Sequence, residues 1–359
     1  MTTDNIIQPV RDLGAYTLKA TVAPIKLNQN ESPVDVDEAF KREVLDRVAA
    51  RAWNRYPDFY PRDVLDGLGA LHGLSGDSVL LGNGSNELIQ ALFAATVEAG
   101  TRVALPSPTF TLYAMMVAAN GGEVVHVPLA DDLTYDVDAW RALADRGDTH
   151  LLVCSPNNPT GSVMDAAQIA DLAGRTQRLV IVDEAYAQFG PHDLAPLVAA
   201  HPNVAVLRTF SKAVGLAAVR LGYLLCAPDL AREIGKVKLP YNVGVFGLEV
   251  ARVCLEAPHR FDGIADTLRA ERARLVERLT GLAFDDVYPG AANFVLVRTP
   301  RAAEVFDALY ADGILVRNVG HYPMLANCLR ISVGTPAEND AVVARLTALL
   351  GAAPTAEAP

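Results

Sequence analysis

Short apolar runs alternate with helical segments along this 359-residue chain from about residue 78 onward. Segments such as GSNELIQALFAATVEAG and TFTLYAMMVAANGG predict helices that end at glycines. The runs that predict strands are nearly continuous in apolar residues: RVALP, EVVHVPL, THLLVCSP, RLVIVD, VAVLRTF and LGYLLCAP. Apolar strands that alternate with helices predict an α/β fold, with a mostly parallel sheet covered on both faces.

The two ends of the chain follow a different pattern. Residues 37–51 (DEAFKREVLDRVAAR) predict an isolated amphipathic helix, and the chain beyond about residue 245 predicts helices followed by the strands FDDVYP, NFVLVR, ILVRN and CLRISVG. We therefore predict a large domain over residues 50–250 and a smaller α+β domain. The predicted small domain consists of residues 1–49, which include an N-terminal arm, and residues 251–350. The predicted tail, residues 351–359, is disordered.

Composition and charge narrow the class of protein. The chain is 51% hydrophobic and 20% charged, and its net charge of −11 is spread along its length. A nucleic-acid partner is not expected, because phosphate binding needs a basic patch. A membrane partner is not expected either, because no apolar stretch is long enough to span a bilayer.

The cysteines and histidines favour a protein of a reducing compartment without a metal site. Three of the four cysteines lie in the apolar runs LLVCSP, YLLCAP and ARVCLE, as small core residues do. The seven histidines form no HxxxH or HxH pair. The first residues, MTTDNIIQPV, lack the apolar segment of a signal peptide. We expect a cytoplasmic protein that binds no metal.

Polar residues follow four of the predicted strands. Ligands of open α/β sheets bind beyond the carboxyl ends of the strands, so these residues are candidates for the functional site. They are Asn158 after LLVCSP, Asp183 and Tyr186 after RLVIV, Thr209, Ser211 and Lys212 after VAVLR, and Gly84, Ser85 and Asn86 after the run SVLLG.

Lys212 and Asp183 both occupy unusual surroundings. Lys212 lies among apolar and small residues in RTFSKAVGLAAVR, which is expected to lower its pKa and so to favour an amine nucleophile. A surface lysine in a loop is the simpler alternative. Asp183 ends a buried strand that has no structural need for an acid, and a buried carboxylate there could hold a protonated pyridine nitrogen.

Pyridoxal phosphate combines these demands. It requires a lysine for its aldehyde, an acid for its ring nitrogen and several donors for its phosphate. Asn158 and Tyr186 can donate hydrogen bonds to its phenolic oxygen, and Phe110 of PSPTF follows a strand, where it can stack on the ring.

Two groups of residues are candidates for the phosphate. Gly84, Ser85 and Asn86 precede or begin a helix, where backbone N–H groups and the helix dipole favour an anion. A glycine turn capped by Ser or Asn explains this segment equally well. Arg220 lies in an apolar segment and needs an anionic partner, which a phosphate bound also by the hydroxyls of Thr209 and Ser211 would provide.

These motifs together resemble the fold-type I pyridoxal-phosphate aminotransferases, and more narrowly the histidinol-phosphate aminotransferases. The resemblance covers nearly the whole chain, and the motifs fall in the family's order: IKLNQNESP, NRYPD, GNGSNELI, PSPTF, CSPNNPTG, VDEAY, RTFSKAVGLAAVRLGY and CLRISVGT. The family's fold is a large domain, with a mostly parallel seven-stranded sheet between helices, and a smaller α+β domain.

The resemblance implies a role for each candidate residue. Lys212 forms an aldimine with the cofactor and then moves the substrate's α-proton, while Asp183 holds the ring nitrogen. Tyr56 of RYPD reaches the phosphate in the neighbouring subunit, which implies a homodimer with shared active sites. Arg330 binds the substrate α-carboxylate with help from Asn30. Arg317 binds the substrate phosphate, and Tyr16 and Tyr241 line the pocket, although either tyrosine could be a packing residue.

The implied reaction is a transamination between histidinol phosphate and 2-oxoglutarate, with ping-pong kinetics. Three departures from the family pattern lie near the cofactor: NESP replaces the commoner NENP, and Val214 and Ala218 stand where Phe and Gly are usual. They leave open an aromatic amino acid aminotransferase. A threonine-phosphate-type decarboxylase and a non-catalytic cofactor-binding regulator are further alternatives, the last disfavoured by the short segment before Asn30 and the acidic charge balance.

Overall fold

The computed structural model of the chain describes residues 2–14 and 22–353. Its strands, numbered along the chain, are β1 (Ile25–Lys26), β2 (Val79–Gly82), β3 (Arg102–Ser107), β4 (Glu123–Pro128), β5 (Thr149–Cys154), β6 (Val180–Asp183), β7 (Val204–Thr209), β8 (Gly222–Cys226), β9 (Asp286–Tyr288), β10 (Phe294–Arg298), β11 (Ile314–Leu315), β12 (Arg317–Asn318) and β13 (Cys328–Ser332).

The α-helices include one within each of three segments predicted as helices, residues 37–51, 84–100 and 109–122. They are α1 (Gln8–Arg11), α2 (Glu38–Ala49), α3 (Arg62–Leu71), α4 (Ser85–Thr96), α5 (Leu112–Ala119), α6 (Val137–Arg146), α7 (Ala166–Arg175), α8 (Leu197–Ala200), α9 (Pro228–Gly235), α10 (Val245–Glu256), α11 (Ile264–Thr280), α12 (Ala302–Ala311) and α13 (Pro336–Leu350). Short 3₁₀ turns lie at Thr2–Asn5, Gly76–Ser78, Ala187–Phe189, Ala217–Val219 and Pro258–Phe261. Within the described residues, no helix has the length and apolar character to cross a bilayer.

The large domain is built on a seven-stranded sheet with the strand order β2-β8-β7-β6-β5-β3-β4. Strand β8 runs antiparallel to both of its neighbours, and the remaining pairs are parallel. Leu151 and Val153 of β5 face one hydrophobic cluster, whereas Leu152 and Cys154 face another. The strands are apolar throughout because both faces of the sheet are buried. The predicted α/β class and mostly parallel seven-stranded sheet are confirmed.

The small domain contains an antiparallel sheet with the order β12-β13-β10-β9 and a parallel pair formed by β1 and β11. The run ILVRN, predicted as one strand, is divided between these two sheets. Ile314 pairs with Ile25 of the N-terminal segment, whereas Arg317 pairs with Arg330 of β13. The change of partner occurs at the buried residue Val316. The sequence could not show it, because no glycine or proline interrupts the run at the change.

Helix α2 lies beside the predicted boundary between the domains. Its buried residues Phe40, Val44 and Val48 belong to the hydrophobic cluster of the large domain, where the helix lies against α10. The predicted boundary between residues 49 and 50 assigned this helix to the small domain. Its apolar face packs on α10 (Val245–Glu256), a helix that spans the predicted boundary at residue 250, so the division of the N-terminal segment between the domains stays a prediction.

The predicted tail at residues 351–359 begins with an ordered segment. The N–H of Ala353 donates to the carbonyl of Gly281 at 3.0 Å, and Ala352 forms an isolated antiparallel bridge with Leu282. Residues 351–353 therefore extend the small domain, and the rest of the predicted tail lies outside the described residues.

A close backbone contact joins the two domains at Gly161, which follows β5. This glycine has φ of +76°, and a Cβ atom there would lie 2.6 Å from the Cα of Gly290. We expect Gly161→Ala to destabilise the protein by about 1–3 kcal/mol, because the added carbon meets backbone and the positive φ disfavours alanine. The midpoint of urea unfolding measures this effect.

Gly174 provides a matched control. It is exposed in helix α7, and a Cβ atom there would meet nothing within 4 Å. Gly174→Ala is expected to stabilise the protein by roughly 0.5–1 kcal/mol through helix propensity. Equal unfolding midpoints for the two variants would contradict the close approach of the domains at Gly161.

Candidate active site

One cavity of about 240 Å³ lies beyond the carboxyl ends of the central strands. Strands β5, β6 and β7 are adjacent there, with Cys154 paired to Asp183 and Asp183 paired to Leu207. Parallel neighbours therefore deliver their terminal residues to one place. The residues predicted from the sequence that line this cavity are Asn30, Ser85, Asn86, Phe110, Asn158, Asp183, Tyr186, Thr209, Ser211, Lys212, Arg220, Arg317 and Arg330.

Three of the predicted site residues that the structure describes are not in the lining of this cavity: Gly84, Tyr56 and Tyr241. Gly84 lies just behind it, and its φ is +79°. Tyr56 and Tyr241 stack on each other elsewhere, with ring centroids 4.5 Å apart, and they are 80% and 41% exposed. Tyr16 lies outside the described residues.

The two acids of VDEAY face different surroundings. Asp183 lines the cavity, where its Oδ2 accepts a hydrogen bond from the Tyr113 hydroxyl at 2.7 Å and its Oδ1 accepts one from the N–H of Ala185 at 2.9 Å. Glu184 instead accepts a hydrogen bond from buried Arg208 at 2.8 Å. Asp183 ends β6 and Glu184 follows it, and only Asp183 of the two lines the cavity.

Burial raises the pKa of the Asp183 carboxyl, and the hydrogen bonds from Tyr113 and Ala185 act in the opposite direction. These donors stabilise the ionised form. A cationic group in the cavity would stabilise it further, as the nearby Lys212 ammonium does. Asp183 is therefore suited to hold a positively charged ring nitrogen.

The Lys212 amine is held inside the same cavity. Its Nζ donates to the backbone carbonyl of Gln29 at 3.0 Å and lies 5.6 Å from the centroid of the Tyr186 ring. Burial, followed by the positive charge of Arg330, lowers the pKa of Lys212 to about 8. A substantial neutral fraction near neutral pH makes this amine a nucleophile and a base.

Two arginines face this amine from the small domain. Arg317 and Arg330 are direct partners across strands β12 and β13, and both line the cavity. Arg330 donates to the carbonyl of Asn28 at 2.7 Å and to the Oδ1 of Asn158. Like charges directly opposite each other destabilise an antiparallel pair. The arrangement therefore favours an anionic ligand between the two guanidinium groups.

A cradle for a second anion lies at the N-terminus of α4. The N-cap is Gly84, which has no side chain to satisfy the first N–H groups of the helix. A Cβ atom at Gly84 would lie 2.4 Å from the Arg220 guanidinium, and one at Gly222 would lie 2.5 Å from the nitrogen of Ser85. Arg220 also donates to the Ser211 hydroxyl at 3.2 Å. Glycines thus allow a guanidinium, a hydroxyl and a helix N-terminus to converge.

The amine, the carboxylate and the anion cradle together match the groups that pyridoxal phosphate requires. Among the described residues, no cluster of three or more His, Cys, Asp or Glu side chains could hold a metal ion.

Comparison with known proteins gives the family. The model of the family "Aminotransferase class I and II" matches residues 22–346. The chain belongs to this family. The predicted resemblance to the aminotransferases is confirmed, and with it the prediction that the chain is an enzyme of this class.

Individual relatives are similar over nearly the whole chain. Histidinol-phosphate aminotransferase 1 of Burkholderia lata is 40% identical to this chain. The alignment covers 96% of this chain and 97% of the relative. The histidinol-phosphate aminotransferase of Chlorobaculum parvum is 39% identical, and the alignment covers 89% of this chain and 90% of the relative. A crystal structure of the Sinorhizobium meliloti histidinol-phosphate aminotransferase in complex with pyridoxal-5'-phosphate superposes with a TM-score of 0.84. Its sequence is 28% identical, and the superposition covers 96% of this chain and 97% of that structure.

Sequence reasoning missed several residues of the site. Tyr113 of α5 donates to Asp183, and the sequence gives no signal for this contact because the two residues are 70 positions apart. Asn28 and Gln29 contribute backbone carbonyls, for which side-chain chemistry gives no signal. Val319 and Tyr322 line the cavity from the loop after β12.

The lowered pKa of Lys212 predicts early labelling by an amine-specific reagent. In protein dialysed against hydroxylamine to remove any bound aldehyde, acetylation of Lys212 should rise as the pH passes through about 8. Lys41 is the control, because its hydrogen bond to Asp35 raises its pKa. Its acetylation should rise at higher pH, and peptide mass spectrometry measures both. A midpoint for Lys212 at or above that of Lys41 would contradict the assignment.

Proposed function

We propose that this chain is a pyridoxal-phosphate-dependent aminotransferase of histidine biosynthesis. It would transfer the amino group between L-histidinol phosphate and 2-oxoglutarate, giving imidazole-acetol phosphate and glutamate. The observation that carries the proposal is the opposed arginine pair, Arg317 and Arg330, in one cavity with Lys212. The histidinol-phosphate aminotransferases of B. lata and C. parvum, 40% and 39% identical, support the choice of substrate.

The residues of the cavity suggest how the cofactor would be held. Asp183 would hold the ring nitrogen, Asn158 and Tyr186 the phenolic oxygen, and Phe110 one face of the ring. The phosphate would be bound by the N-terminus of α4 and by hydroxyl and guanidinium groups, namely Ser85, Asn86, Thr209, Ser211 and Arg220. When bound, pyridoxal phosphate supplies an aldehyde that accepts an amino group and a ring that withdraws electrons.

Lys212 would then move a proton at the substrate. Its amine, neutral in part because burial lowers its pKa to about 8, can accept the proton from the carbon that bears the substrate amino group and return it later. Buried surroundings exclude competing water from this transfer.

The arginine pair would serve two different anions in the two half-reactions. Glutamate carries an α-carboxylate, which Arg330 would bind as a bidentate partner, whereas histidinol phosphate carries no carboxylate. We infer that Arg317, together with Arg330, binds the phosphate of this second substrate. Because the bound cofactor would keep the amino group after the first product leaves and before the second substrate binds, the kinetics should be ping-pong.

We further propose that the chain acts as a homodimer with shared active sites. An aromatic patch, defined as Trp53, Tyr56, Phe59, Tyr60 and Tyr241, is exposed on the large domain. A second cavity of about 470 Å³ lies beside it, lined in part by Phe59, Tyr60 and Tyr241. Exposed apolar patches mark interaction surfaces, and a second copy would bring Tyr56 to the phosphate of its neighbour.

A cytoplasmic location also belongs to this proposal. All four cysteines are free thiols and are buried in the structure, which is typical of proteins from a reducing compartment. The two substrates would be small metabolites, an amino-group donor and a 2-oxo acceptor.

Removing the positive charge of Arg317 tests the proposed substrate. We expect Arg317→Gln to lower kcat/KM for histidinol phosphate roughly 10- to 100-fold, the value of a charge-assisted hydrogen bond of about 1.5–3 kcal/mol. The reaction with histidinol, which lacks the phosphate, should change little. Single-turnover measurements of the visible absorbance of the bound cofactor give both rates.

Arg298 provides the control for this experiment, because it pairs with Asp286 and lies outside the lining of the cavity. Arg298→Gln should leave both reactions unchanged. Equal losses for histidinol and histidinol phosphate in Arg317→Gln would refute the phosphate role. Faster conversion of phenylalanine than of histidinol phosphate by the unaltered protein would replace the substrate with an aromatic amino acid.

A charge in the aromatic patch tests the homodimer. We expect Phe59→Asp to shift the sedimentation behaviour from twice the chain mass to that of a single chain, because an ionised carboxylate is costly to bury. Tyr310→Asp is the matched control, since Tyr310 is an exposed aromatic residue of α12 in the small domain. A protein that sediments as a single chain before any substitution would rule out the shared active site.

A further inference from the structure

Asn30 joins Tyr186 of the cavity to Ser332 of strand β13. Its Nδ2 donates to the Tyr186 hydroxyl oxygen at 2.9 Å, and its Oδ1 accepts from the Ser332 hydroxyl at 2.8 Å. Its backbone N–H donates to the same Ser332 oxygen at 3.0 Å. All three residues are buried, and Asn30 is 1% exposed. The three residues form a chain of hydrogen bonds from the small domain to the large one.

The direction of each hydrogen bond follows from one group that can only donate. The backbone N–H of Asn30 must donate to Ser332, so the serine oxygen is an acceptor there and its own proton is available. Reversing the Asn30 amide would turn a second donor toward Ser332. The serine proton would then lack an acceptor within the described part of the chain, a costly arrangement for a buried group. The carboxamide oxygen therefore faces Ser332, and its nitrogen faces Tyr186.

The hydroxyl proton of Tyr186 is thereby directed away from Asn30. The tyrosine oxygen accepts from the amide, and its single proton must seek another acceptor. Tyr186 keeps that proton at neutral pH, since burial raises its pKa to about 12. The side chain lines the cavity, which is where such an acceptor would lie.

The backbone of Asn30 is itself held in an uncommon conformation. Its φ is +55°, a left-handed value that asparagine tolerates better than most residues. The side chain of Asn293 donates to the Asn30 carbonyl at 3.1 Å, and Lys212 donates to the carbonyl of the preceding Gln29 at 3.0 Å. The surrounding contacts thus stabilise a turn that would otherwise be disfavoured.

We propose that Asn30 and Ser332 are positioning residues that direct the Tyr186 hydroxyl to donate toward the phenolic oxygen of the bound cofactor. This inference rests on the proposed function and adds to it. These hydrogen bonds link the two domains. The Tyr186 hydroxyl is therefore held toward the cofactor only when β13 of the small domain is docked on the large domain. The contact of Asn30 with a substrate carboxylate remains a separate prediction.

The pH titration of the visible absorbance of the bound cofactor tests this inference in the holoenzyme. A donor to the phenolic oxygen stabilises its negative charge, and loss of that donor makes this end of the cofactor hold its proton to higher pH. We expect Tyr186→Phe to raise the titration midpoint by roughly 0.5 to 1 pH unit, the value of one hydrogen bond. Asn30→Ala should raise it by a smaller amount, and Ser332→Ala by less again.

A double-mutant cycle separates positioning from a general loss of structure. If Asn30 acts through Tyr186, the double variant Asn30→Ala, Tyr186→Phe should titrate at the midpoint of Tyr186→Phe alone. Asn203→Ala is the matched control, because this amide donates to the carbonyls of Ala173, Thr176 and Arg178, away from the cavity. It should lower stability and leave the midpoint unchanged.

The outcomes distinguish this inference from the function on which it rests. A midpoint for Asn30→Ala equal to that of the unaltered holoenzyme, or additive shifts in the cycle, would overturn the inference alone. Failure of the unaltered protein to bind pyridoxal phosphate would overturn the proposed function, and the inference with it.

Discussion

The cost of burying charge governs the arrangement of this molecule. Lys212 and Asp183 lie in one cavity at the ends of adjacent strands. Burial lowers the pKa of Lys212 and raises the pKa of Asp183, which favours the neutral form of each. Neighbouring dipoles and charges determine how far each shift goes. Tyr113 favours the charged form of Asp183, whereas Arg330 favours the neutral form of Lys212. The amine and the carboxylate are thus prepared for different chemistry by the same desolvation.

Close backbone approach makes this arrangement possible. Gly84 and Gly222 allow Arg220 and the first residues of α4 to converge on one anion site. Gly161 meets Gly290 where the two domains touch, so the small domain can bring Arg330 over the strand ends of the large one. Residues without a Cβ atom therefore stand where backbone or a guanidinium group approaches most closely, and the polar groups supply the chemistry.

The N-terminal segment contacts the cavity and both domains. Gln29 receives the hydrogen bond of Lys212, Asn30 orients Tyr186, and Phe40 of α2 is buried in the large domain. The same segment pairs with β11 of the small domain through Ile25. A segment with so many partners links the position of the small domain to the geometry of the cavity.

The sequence by itself determined the strands of the large sheet, since continuous apolar runs such as LLVC are buried on both faces. It also determined the polar residues at their ends, from Asn158 to Lys212, because parallel strands bring their carboxyl ends together. Only the tertiary structure decided that ILVRN divides between two sheets, that α2 packs on α10, and that Asn30 bonds to Tyr186 and Ser332. These outcomes depend on pairings between residues as much as 302 positions apart, and local periodicity carries no information about a partner so distant.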